Sequence, residues 1–251
     1  MILHTNTFKN KLISGTLLLT LTGILSRIIG FYYKIFLSRS IGAEGLGIYQ
    51  LIFPVFALII SISAAGIQTA LSRYCAQCET DREARVYLLI GLMGSLVPSF
   101  CCIWIVQTYA PQIGLLLLED TRTVALLRLM TWSLPFACIH ACINGYYYGK
   151  KKAAIPAISQ ILEQLVRVAG VWLLLDILME QGISPTPKVA VWGILFGELA
   201  AALYSITVLC FSESRKKRYR ANLHRLSLYG FQKLPLIYAP WQFRLPATES
   251  C

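Results

Sequence analysis

Six apolar runs, at 12–36, 46–71, 86–108, 124–148, 153–178 and 189–211, follow one another with short linkers between them. Each is longer than the about 20 residues that a helix needs to cross a bilayer. The 251-residue length therefore counts spans rather than soluble domains. Short connections between antiparallel neighbours imply a compact bundle. Only 14% of the residues are charged and the mean hydropathy is +0.61, against roughly 25% charged residues in an average globular chain.

The formal charge of +11 does not point to nucleic acid, because the basic residues lie between the apolar runs instead of forming a soluble patch with stacking aromatics. Their distribution carries topology. Lys9 and Lys11, then Arg73, Arg82 and Arg85, then Lys150, Lys151 and Lys152, then six residues from Arg215 to Arg225 fall on one side. The other side has Arg39, Arg122 and Lys188, so the count is fourteen against three. Basic residues are retained in short cytoplasmic loops, which places both ends of the six-span unit inside. The first run is too long for a signal-peptide core and lacks a clean cleavage site, and it reads as a retained span. Residues 1–212 are expected to form the membrane lobe and 213–251 a basic cytoplasmic tail. With Pro235, Pro240 and Pro246 the tail is too broken to span; it either rests on the inner surface or is not native sequence.

Polar residues inside the spans form stripes. Gln160, Glu163, Gln164 and Arg167 fall at i, i+3, i+4 and i+7 of the fifth run, one face of a helix whose other faces are apolar. In the first run Thr16, Thr20, Gly23, Arg27, Gly30 and Lys34 alternate four and three apart, a small and polar face suited to packing or to lining a cavity. Lys34 and Arg128 can also snorkel to an interface. Gly193, Gly197, Ala201 and Ser205 make a packing groove in the sixth run, with Glu198 on a neighbouring face. Pro54 and the small residues Ser61 to Gly66 permit bending or close approach in the second.

Cysteines within the apolar runs behave as small hydrophobes. Cys75 and Cys78 form a lone CxxC, read as two reduced thiols at a helix end. His140 stands between Cys138 and Cys142 with no carboxylate near in sequence, so no metal site is expected. There is no GxSxG, no phosphate-cradling glycine loop and no HExxH. The chain reads as a non-enzyme with no cofactor. The charges inside the membrane, Arg27, Glu163, Arg167 and Glu198, with Asn144, Gln160 and Gln164, are the candidate site. Either Glu163 and Arg167 simply neutralise each other, or the set lines a polar cavity with cationic walls suited to an anionic headgroup.

Three blocks carry a resemblance: SRIIGFYYKIFLSRSIGAEGLGIYQL from Ser26, AAGIQTALSR from Ala64, and GYYYGKKKAAIPAISQILEQLVRV from Gly145. In this order they resemble the polysaccharide biosynthesis flippases of the multidrug/oligosaccharidyl-lipid/polysaccharide superfamily, over about residues 10–212. The resemblance implies an all-α polytopic bundle of six transmembrane helices, similar to one lobe of a two-lobed transporter, in the bacterial plasma membrane. It implies movement of a lipid-linked polysaccharide or peptidoglycan precursor with a pyrophosphate headgroup, with sporulation cell-wall synthesis as a setting. Arg27 and Arg167 match positions that line the family's central cavity. The family has two lobes and this sequence resembles the first, departing from about Leu226, as a truncated or frameshifted product would. The expected partners are lipid-linked substrate, membrane lipids, and a second lobe or a second copy. A cation-coupled drug exporter of the same fold, a scaffold binding partners through the groove from Gly193 to Ser205, and a membrane enzyme acting on the same lipid are the competing readings.

Overall fold

A computed structural model describes the backbone of residues 2–214 and the side chains of residues 15–211. The side chains of Lys9 and Lys11, and the expected tail from Arg215 on, lie outside the described residues. Among the described residues there is helix and no strand: α1 (Ile2–Leu51), α2 (Phe53–Ile60), α3 (Gly66–Gln77), α4 (Asp81–Gln112), α5 (Thr123–Thr131), α6 (Leu134–Gly149), α7 (Ala154–Glu180) and α8 (Lys188–Ser214). In hydrocarbon a helix is the local way to satisfy every backbone N–H and C=O.

Three continuous helical stretches among the described residues are long and apolar enough to cross a membrane: Gly15–Gln77, Asp81–Leu117 and Lys188–Phe211. A fourth is the pair Thr123–Thr131 and Leu134–Gly149, bent by 44°. The first stretch has 63 residues, about 95 Å of helix at 1.5 Å per residue, far more than one bilayer. Gly42 breaks it, at φ 77° and ψ 166°, a backbone state open to glycine and strained for other residues. The chain turns back there, and Tyr33 and Tyr49 on either side of Gly42 meet in the same core. With α7 and the two arms on either side of Gly42 counted separately, the described residues make six helical passes, matching the six apolar runs.

Loop contacts fix the direction of those passes. Lys150 pairs with Asp81, so the α3–α4 and α6–α7 connections share one end of the bundle. At the opposite end Arg122 Nη1 lies 2.6 Å from Glu44 Oε1. A Cβ at Gly45 would lie 3.4 Å from Pro187 Cγ, so the Gly42 turn, the α4–α5 connection and the α7–α8 connection meet there.

Two local departures from straight helix have sequence causes. The fourth apolar run is two helices rather than one, because Pro135 occupies the first turn of α6 and cannot donate to the preceding turn. Residues Ser61–Ala65, small apart from Ile62, form a π-helical turn between α2 and α3, where the sequence permits bending or close approach. Thr80 opens α4 by accepting a hydrogen bond from the Glu83 backbone N–H at 3.3 Å, with Asp81 and Glu83 in the first turn where the helix dipole favours them.

The core falls into two apolar clusters. One gathers Leu37, Ile52, Leu134, Val171 and Ile194. The other gathers Leu71, Leu88, Cys142, Ile143 and Tyr147. Helix α6 gives Leu134 to the first and Cys142 to the second, with His140 between. Helix α8 gives Ile194 to the first and sets Val208 against the second, with Glu198 between; α7 sets Val168 and Ile155 against them, with Glu163 and Arg167 between. The polar residues thus sit where one apolar cluster gives way to the other.

Candidate functional site

The site is assembled by the approach of α7 to α8. A Cβ at Gly197 would lie 2.9 Å from the Glu163 carbonyl oxygen, and one at Gly193 2.3 Å from Val171 Cγ2. Lower down, Ser159 and Ser205 bring their hydroxyls to 3.4 Å, both fully buried. The small-residue face of α8 is therefore filled by α7. This corrects the scaffold reading: the groove from Gly193 to Ser205 has no room for an outside partner, because backbone-to-backbone contact already occupies it.

That approach concentrates charge. Arg167 donates to Glu163, its i,i+4 neighbour on α7. Glu198 is 7% exposed, and its Oε2 lies 3.3 Å from His140 Nδ1 on α6. The donor atoms of His140, Glu163 and Glu198 all lie within 4.8 Å of one another. The expectation that no carboxylate lies near His140 is thus corrected, since the neighbour comes from another helix and spacing along the chain does not show it. Such a spacing suits a metal ion, but Arg167 already occupies Glu163. A divalent ion would leave a net positive charge among apolar cores, so we assign no metal here.

The seven candidate residues separate. Glu163, Arg167 and Glu198 come together with His140. Asn144, one turn beyond His140, is 5% exposed and its Oδ1 has no hydrogen-bond donor. Gln160 and Gln164 are half-buried on α7, and Arg27 is exposed. The register of α1 against α7 is set by Gly15, whose Cβ would lie 3.6 Å from that of Ala153. Twelve residues on from Gly15 is Arg27 and fourteen on from Ala153 is Arg167, roughly 18 and 21 Å along the two helices from that shared level. The two arginines have similar depth and different surroundings. A Cβ at Gly23 or Gly30 would meet nothing within 4 Å, and Thr16, Thr20 and Lys34 are exposed. The first-run stripe is an open face among the described residues.

Tyr33 and Tyr49 were not among the candidates. Both are buried, at 5% and 2% exposure, and both lie near Arg167. Tyr33 Oη would lie 3.3 Å from a Cβ at Gly193. Aromatic residues in apolar runs carry no periodic sign of such a role.

Outside the spans, a cavity of about 340 Å³ at the Lys150 end is lined by Arg85, Lys150, Lys151 and Lys152 with Glu79 and Asp81. Burial works against the Lys150 ammonium, but hydrogen bonds with Asp81 and Tyr146 outweigh it and leave its pKa raised. At the other end, hydrogen bonds from Arg122 hold the Asp120 carboxyl below its ordinary range.

The sequence model of a family described as "Polysaccharide biosynthesis protein" matches residues 12–234, farther along the chain than the three blocks of resemblance reach. Stage V sporulation protein B of Bacillus subtilis (strain 168) is 29% identical over 245 residues, covering 96% of this chain and 46% of that protein. Lipid II flippase MurJ of the same organism is 27% identical over 170 residues, 63% of this chain and 31% of that protein. Sporulation protein YkvU, again from that organism, is 22% identical over 166 residues, 65% of this chain and 36% of that protein. The chain spans less than half the length of these relatives. No solved structure matches. The family match takes in most of the chain and its long apolar helices, and the chain belongs to the polysaccharide biosynthesis protein family, as a multi-pass membrane protein.

Proposed function

We propose that residues 1–212 form one wall of a path by which a lipid-linked polysaccharide or peptidoglycan precursor crosses the bacterial plasma membrane. The observation that carries this reading is the open face of α1. Arg27 lies exposed near mid-span, where an arginine facing lipid costs about 2.5–3.5 kcal/mol or more. A pyrophosphate headgroup beside it would supply charge-assisted hydrogen bonds instead. A relative whose name is lipid II flippase and two whose names place them in sporulation support the substrate class and the setting. The role is transport rather than catalysis.

Alternating access needs two bundles rocking about a site between them, so the opposing wall is a second lobe or a second copy of this chain. Both ends of the lobe are cytoplasmic, by the fourteen-to-three asymmetry, and 213–251 lies on that side as a basic tail. The drug-exporter reading would need an acidic open face; this one carries Arg27 and Lys34, while Glu163 and Glu198 are drawn inside the bundle.

The test is reconstitution of the full chain with a fluorescent lipid-linked oligosaccharide. Binding is expected to weaken about tenfold or more in R27A, the worth of a hydrogen bond to a charged group. Transport is expected to require a second wall. Unchanged binding by R27A would remove the cationic wall, and rapid Arg27-dependent flipping by monomer would remove the need for a partner. For orientation, cysteines placed at Ser40, Glu44 or Pro185 should react with an impermeant thiol reagent in intact cells; labelling at Lys151 instead would invert the topology.

A further inference from the structure

The charges between the two apolar clusters do not cancel. Glu163 and Arg167 form one pair. Glu198 is left, with its Oε2 shut off from solvent and without a hydrogen bond, facing His140 Nδ1 at 3.3 Å. With a neutral imidazole the group holds two carboxylates and one guanidinium, a net negative charge among apolar cores, which is costly. One added positive charge brings the sum to zero. A divalent ion overshoots it, and a hard monovalent ion prefers oxygen ligands throughout, whereas here the third donor is a ring nitrogen. A proton on His140 satisfies both conditions.

We infer that His140, Glu198, Glu163 and Arg167 form a buried one-proton site, in which a proton on His140 ties α6 to Glu198 of α8. This rests on the geometry of the cluster and stands apart from the proposed substrate. The groups that face it come from every side. Glu163 and Arg167 belong to α7 and Glu198 to α8, with Tyr33 and Tyr49 of α1 near Arg167. The thiols Cys138 and Cys142 flank His140 on α6 itself, with Cys102 of α4 near Cys138 and Ser95 of α4 lying 3.2 Å from Cys142. Helix α3 meets α6 farther along, at Gly145 and Gly149, where Cys75 lies; α2 and the Ser61–Ala65 turn carry no ionisable side chain.

The cluster also contains a second resting place for Glu198. Arg167 Nε is buried and has no acceptor, and Glu198 already acts on that guanidinium electrostatically. Loss of the proton from His140 releases Glu198 toward this N–H, changing the contact of α8 from α6 to α7. Tyr33 of α1 borders the same place: a Cβ at Gly193 would lie 3.3 Å from both its Oη and the Arg167 carbonyl oxygen.

The test is ¹⁵N-histidine NMR of the full chain in lipid nanodiscs, carrying H4Q and H224Q so that His140 is the one labelled ring. At pH 7 both ring nitrogens are expected to show the shifts of an imidazolium, and raising the pH should convert them to a neutral tautomer in one step. In E198Q the ring should be neutral already at pH 7. A neutral ring at pH 7 in the parent protein would overturn the inference without recourse to a variant. So would an E198Q ring that is still an imidazolium, or saturable ring shifts on adding Zn²⁺ or Na⁺ at constant pH, which would make the site one for a metal ion.

Discussion

The α7–α8 interface and the outward face of α1 use the same vocabulary and meet opposite fates. Each sets glycines beside an arginine, Gly193 and Gly197 of α8 against Arg167 of α7 and Gly23 and Gly30 on either side of Arg27. At the interface a Cβ at Gly197 would strike the Glu163 carbonyl, and Arg167 is turned inward onto Glu163. On α1 a Cβ at Gly23 or Gly30 would meet open space, and Arg27 is exposed. A small-polar stripe in a membrane helix thus signals that something must cover it, and does not say whether the cover lies within the chain.

The comparison breaks most easily at the two arginines. R167A leaves the Glu163 carboxylate buried without its partner, which typically costs about 3–5 kcal/mol, whereas R27A should fall within about 0.5 kcal/mol because it removes no contact inside the bundle. Denaturation in detergent micelles reads both. Equal losses would mean that α1 is not an open face.

Glycine substitutions sharpen the same contrast with a smaller effect. G197L forces α7 from α8 and should cost about 1–3 kcal/mol. G23L should leave the midpoint of unfolding unchanged while weakening any association that covers α1. Cross-linking of the full chain in membranes, compared for the two variants, separates the effects. Loss of cross-linking without loss of stability in G23L is the expected pattern.

The smallest effect lies at the loop end, far from both faces. Arg122 bonds both Asp120 and Glu44, and the Asp120 carboxyl is held low chiefly by the side-chain hydrogen bonds from Arg122. A carboxyl lowered in the folded state contributes stability above its ordinary value of about 4 and loses it as pH falls through the lowered value. R122Q should therefore melt slightly below the parent at pH 7, and the difference should vanish in strong acid. A gap that persisted in acid would point to packing rather than charge. The pair is exposed, so salt should narrow the gap at neutral pH as well.

Much of this molecule is legible in the sequence because the bilayer is a severe solvent. Runs longer than 20 residues must be helical spans, and they are. The turn at Gly42, the π-helical turn at Ser61–Ala65 and the glycine groove of α8 follow from residues that are small or lack a Cβ. The i,i+4 pairing of Glu163 with Arg167 is a property of one helix and could be read from spacing alone. The division of the fourth run at Pro135 was visible as a residue and not as a 44° bend, since proline can kink a span or start a new helix.

What spacing could not reach was partnership between helices. Nothing in the order of residues joins His140 to Glu198, or Tyr33 and Tyr49 to Arg167, because each pair lies on different elements and their distance depends on how those elements cross. The depth of Arg27 was implied by its place in the first run; its exposure was decided by which face of α1 turns inward, the one with Tyr33 and Leu37 and not the one with Gly23 and Arg27. Periodicity along a chain gives every helix a face, and the choice of which faces meet belongs to the tertiary structure, where backbones approach as closely as their smallest side chains permit.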